Sequence, residues 1–79
     1  METTVIEGAQ VRSARRLLRW RVWKLAQRAG VSPALVRRAE KTSGHPPLTG
    51  LDALAIRKAL EAAGLEFTND PPGVKLRAD

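Results

Sequence analysis

The 79-residue chain has no cysteine, so neither disulfides nor thiolate metal sites hold it together. That leaves helix packing, aided by any self-association, to stabilise the fold. Histidine is nearly absent as well. His45 stands in a loop without a ligand set around it, so it reads as a surface or phosphate-proximal residue, and no metal or other cofactor is expected. No apolar run approaches the ~18–20 residues of a membrane span. The opening METTVIEGAQ has no basic stretch followed by an apolar core, so no secretory signal is expected and the cytoplasm is the default location. A chain this short makes one domain, residues 1–79, with a modest core. It has no room for a deep catalytic cleft beside a separate binding domain.

Another absence is local. Between Gly8 and Ala39 there is no acidic residue, while Arg12, Arg15, Arg16, Arg19, Arg21, Lys24, Arg28, Arg37 and Arg38 are all basic. From Thr42 to Asp79 four basic residues face five acidic ones. One part of the domain therefore carries essentially all of the +6 net charge. A concentrated positive face favours polyanions through counterion release and steers their encounter. The plain alternative is a solvated, arginine-rich surface, and charge alone does not decide between them.

What is present is mostly helical pattern. Val11, Ala14, Leu17 and Leu18 form one apolar stripe on a helix from Gly8 or Ala9 to about Leu18, and Arg12, Arg16 and Arg19 lie off it. Trp20 supplies a large apolar body at the following joint. A second helix over about Val22–Ala29 buries Leu25, Ala26 and Ala29 and stops at Gly30. Ser32 then caps, and Pro33 opens, a third helix to Lys41 with Val36 and Ala39 inward. TSGHPP, residues 42–47, is a loop. A fourth helix begins near Thr49, where Thr49 and Asp52 have capping-box spacing. It runs through Leu54, Ile56, Ala59, Leu60 and Ala63 to Gly64. The period-2 alternation of Leu65/Phe67 and Val74/Leu76 around DPPG predicts a hairpin that must pack on the helices or pair with another chain.

Ala26, Gly30 and Val36, with Leu25, Ala29, Val31 and Ser32, fit a small-residue crossing, a sharp turn and an inward anchor. On these residues Gln10–Glu40 resembles the Cro/C1-type (XRE-type) helix–turn–helix family, in particular its small bacterial single-domain members. Ala59–Arg77 resembles the helix-plus-hairpin tail of the same proteins, so the likeness covers about Ala9 to Arg77. It implies an all-α fold of four helices with a short C-terminal β-hairpin, the helix–turn–helix at about 22–41 and the hairpin at about 65–77. It also implies a sequence-specific transcriptional regulator, more a repressor than an activator. Such a protein acts as a homodimer on inverted repeats of double-stranded DNA, its third helix in the major groove. The family often pairs an arginine of the first helix with a glutamate closing the third, positions held here by Arg15 and Glu40.

The reading positions depart from the family. Val22 stands where a phosphate-gripping glutamine is common, and Pro33 and Ala34 replace polar base readers. Neither Pro33 nor Ala34 can make a bidentate bond to a base edge. Base contact then falls to Arg37 and Arg38, with Ala34 and Leu35 able to touch a thymine methyl. Arg12, Arg16, Arg21, Lys24, Arg28, Ser32 and Lys41 are the phosphate candidates. Arg19 replaces the glycine that usually ends the first helix. Phe67, Val74 and Leu76 are the apolar candidates for a dimer surface.

Trp23 falls outside the inward face of its helix. It either folds over Arg19 or Lys24 or against the tail, or serves as a docking point for a second protein. The latter defines the alternative function: a protein-interaction module on the same scaffold, an antitoxin, adaptor or polymerase-binding protein, with Val22, Trp23 and Leu35 as its apolar patch. Asp52, Glu61 and Glu66 have no partner histidine, nucleophile or phosphate loop, so no enzyme is expected.

Overall fold

The computed structural model describes residues 5–41, 48–68 and 73–77. Four helices appear with the boundaries the sequence suggests: α1 (Gly8–Leu18), α2 (Val22–Ala29), α3 (Pro33–Lys41) and α4 (Gly50–Ala62). After α4 comes a hairpin of β3 (Leu65–Thr68) and β4 (Gly73–Leu76), paired antiparallel with Leu65 opposite Leu76 and Phe67 opposite Val74. A further element escaped the sequence reading. Val5–Ile6 (β1) pairs antiparallel with Leu48–Thr49 (β2), and two residues are too few to show any alternation.

The stops follow backbone chemistry. Gly30 sits in the left-handed region at φ 72°, and the Val31 N–H donates back to the Ala26 carbonyl at 3.0 Å, satisfying one of the orphan acceptors at the end of α2. α1 ends the same way without a glycine. Arg19 takes φ 57°, and the Trp20 N–H donates to the Arg15 carbonyl at 2.9 Å. At the start of α3 the Leu35 N–H donates to the Ser32 hydroxyl at 3.1 Å, and Pro33 has no N–H to leave unpaired. Asp52 lies in the first turn of α4, while the Thr49 side chain and His45 fall outside the described residues.

Ile6, Val11, Ala14, Leu25, Ala26, Val36, Ala53, Ile56, Leu60 and Leu65 form one buried cluster to which every helix contributes. Leu18, Trp20, Val22, Ala29, Phe67 and Val74 pack around it. Two expectations need correction. Leu17, assigned to the apolar stripe, is 46% exposed, and Gln10, which no stripe included, is buried. The two lie seven residues apart, hence on nearly the same face of α1. The hairpin meets that face at Gln10. There the Gln10 Nε2 donates to the carbonyls of Thr68 (3.3 Å) and Gly73 (3.1 Å), one on each strand. Its Oε1 accepts the Glu7 N–H at 2.9 Å. A buried amide with these partners bears no desolvation penalty left uncompensated.

Candidate nucleic-acid interface

α3 is short, and what fixes it decides what it can present. Val36 and Ala39 turn inward and Ala26 of α2 is buried, small enough for the two helices to cross closely. The far end of α3 is held by charge. Arg15 of α1 meets Glu40 through two parallel hydrogen bonds, Nε to Oε2 at 2.8 Å and Nη2 to Oε1 at 2.9 Å. Its Nη1 also donates to the Trp20 carbonyl at 3.0 Å. Both side chains are largely withdrawn from water. The hydrogen bond with Glu40 raises the ionisation of the Arg15 guanidinium above its ordinary value; burial opposes this and the charge of the carboxylate adds to it. The pair joins α1, the α1–α2 joint and α3, a structural role that the Arg15–Glu40 resemblance implied.

With Val36 and Ala39 inside, the remaining face of α3 points out. Pro33, Ala34, Arg37, Arg38 and Lys41 are exposed. At ~100° per residue they occupy a single arc of about 140°. Leu35 falls outside that arc and is half-buried. Of the expected base-contacting residues, Ala34, Arg37 and Arg38 therefore share one surface, with Lys41 among the cations, and Leu35 stands at its margin. Arg37 and Lys41 have no carboxylate partner among the described residues.

The phosphate candidates divide. Arg12 and Arg16 are exposed one turn apart on α1, and Arg21 is exposed where α2 begins. The Ser32 hydroxyl accepts from Leu35 and keeps its own hydrogen to donate. Lys24 and Arg28 are elsewhere. Each places its cation 5.9 Å from the centre of the Trp20 ring, on the side of α2 where Arg28 and Trp20 line an open groove with Ala59, Ala62 and Ala63 near the end of α4. By sequence Trp20 is an apolar body at the joint, more a core residue than a ligand platform. The spacing Trp20, Lys24, Arg28, four residues apart each time, was the signal that could have found the cluster.

Trp23 is 56% exposed, and Lys24 lies over Trp20, not over Trp23. Of the proposed dimer residues, Phe67 and Val74 are half-buried against the molecule's own core. The Arg57 guanidinium stands 5.5 Å from the Phe67 ring centre. Leu76 is 57% exposed. No group of three or more histidine, cysteine or acidic residues that could hold a metal occurs among the described residues. No helix among them is long and apolar enough to cross a membrane. Compared with models of known protein families and with curated protein sequences, the chain matches none.

Proposed function

We propose that this chain is a helix–turn–helix domain of the Cro/C1 type that binds double-stranded DNA in a sequence-specific way as a dimer and regulates transcription, by repression. The observation that carries this reading is the exposed arc of α3. It holds Arg37, Arg38 and Lys41 together on a short helix clamped at both ends, at the close of a stretch from Gly8 to Ala39 that contains no acid; the one acid of the helix, Glu40, is paired with Arg15. A helix of this size fits the major groove, and arginine paired with guanine O6 and N7 is the commonest specific contact. Arg12, Arg16, Arg21, Ser32 and Lys41 serve the phosphates, and the one carboxylate within that span of the chain, Glu40, is neutralised by Arg15. Leu76, the exposed apolar residue of β4, supplies the self-association surface, and the open edges of a two-stranded sheet offer backbone groups for pairing.

Selection from a random duplex library at near-physiological salt tests the reading. An enriched inverted repeat with guanine opposite Arg37 or Arg38 supports it, and binding without any enriched motif overturns the specific part. A second reading rests on Trp23, more than half exposed beside half-buried Val22 and Leu35: a protein-interaction module with weak DNA affinity. Salt separates the two. Duplex binding should lose affinity with a slope of about −0.9 per phosphate neutralised, whereas an apolar protein contact should not.

A further inference from the structure

The groove beside Trp20 is used by neither reading. It is open, about 340 Å³ in volume, and its walls are Ala59, Ala62 and Ala63 near the end of α4, with Trp20 and Arg28 opposite. That volume lies at the small end of the ~300–1,000 Å³ typical of ligand sites, room for a body of one or two rings. Arg28 lines it, and Lys24, one turn earlier on α2, shares the same ring: both cations are 5.9 Å from the Trp20 ring centre. This is the outer limit of a cation–π contact, which leaves both cations loosely held. Like charges four residues apart on a helix repel. Neither cation has an ion-pair partner among the described residues. The nearest carboxylate in the α4 wall, Glu61, is turned to Arg57 at 3.1 Å. The C-terminal end of α4 opposes an anion here with roughly half a negative charge, which two full cations outweigh.

From this we infer a binding site for a small aromatic carboxylate, its ring among the alanines and Trp20 and its carboxylate between Lys24 and Arg28. The anion relieves the repulsion of the two cations, and the alanine walls admit a flat ring where larger side chains would fill the space.

The test uses the full chain without DNA, so its outcome is independent of the DNA-binding reading. The indole N–H signals of Trp20 and Trp23, told apart with a Trp23→Phe variant, are followed by NMR while phenylacetate is added into the millimolar range. The Trp20 signal should shift to saturation and the Trp23 signal should not. Phenylacetamide, of the same shape but neutral, should bind about tenfold or more weakly. The shift should vanish in Lys24→Gln/Arg28→Gln, which removes the charge. It should also vanish in Ala62→Leu, which fills the groove from an exposed position and leaves the charge in place. No saturable shift, equal binding of the amide, or unchanged binding in Ala62→Leu would each overturn the assignment.

Discussion

Gln10 on α1 bonds the carbonyl of Gly73 at 3.1 Å, and through the same amide nitrogen that of Thr68, so one buried side chain holds both strands of the hairpin. Gln10→Leu keeps the bulk and strands two carbonyls and the Glu7 N–H. The expected cost is about 1–3 kcal/mol in urea unfolding, with faster hydrogen exchange confined to residues 65–68 and 73–76. Unchanged stability with unchanged exchange would show the bonds to be dispensable.

Arg15→Ala leaves Glu40 buried without its partner, at an expected ~3–5 kcal/mol of stability. Replacing both residues by apolar ones of similar size, Arg15→Met with Glu40→Leu, should be far milder. A single variant that melts like the parent would refute the clamp. Because the guanidinium's ionisation is raised on folding, its stabilisation is complete below the unfolded value and lost only as pH climbs through the folded one. Arginine ionises so far into alkali that its titration should not change stability between about pH 6 and 10.

Arg19 occupies a left-handed conformation that costs an L-residue roughly 1–2 kcal/mol. Arg19→Gly should therefore stabilise the fold by about 1 kcal/mol, some 4–8 °C in Tm for a domain of this size. Gly30→Ala should do the reverse, since open space around a Cβ there does not relieve φ +72°. A drop in Tm for Arg19→Gly would mean that the arginine side chain contributes more than its backbone strain costs.

On the proposed DNA interface, Arg37→Ala and Arg38→Ala should each relax preference at one base position by about 1–3 kcal/mol. Arg12→Ala should weaken all duplexes alike and reduce the salt slope by about 0.9. Competition binding at several salt concentrations reads both, and preference unchanged in both α3 variants would remove the readout role.

Leu76→Glu should convert a dimer to a monomer by light scattering while leaving the Tm of the monomer little changed, because the residue is more than half exposed. A parent chain that stays monomeric at high concentration would rule out the dimer.

The helices were legible because their ends are written in local chemistry. Gly30 can turn left-handed, and the Ser32–Pro33 pair can only begin a helix well. The inward faces of α2 and α3 followed from spacing. What stayed hidden depends on distant partners. Gln10 looks like a surface polar residue until two strands 58 and 63 residues away supply its acceptors. Leu17 looks like core by spacing alone, yet it is 46% exposed, because periodicity does not say where neighbouring elements leave a face uncovered. Trp20 is apolar in sequence, and only the packing of α4 leaves it one open side with two cations above it. The exposed arc of α3 was readable in outline, since helical geometry alone puts Arg37, Arg38 and Lys41 on one side.

α1 is gripped near both ends. Gln10 bolts its first turns to the hairpin, and Arg15, five residues on, bolts its last turns to α3. Between the two grips run about 7.5 Å of helix, a stiff rod without a loop to absorb displacement. The tail is thus no detachable appendage. A load placed on the hairpin, by a second copy or by truncation, is passed mechanically to the helix that carries Arg37 and Arg38.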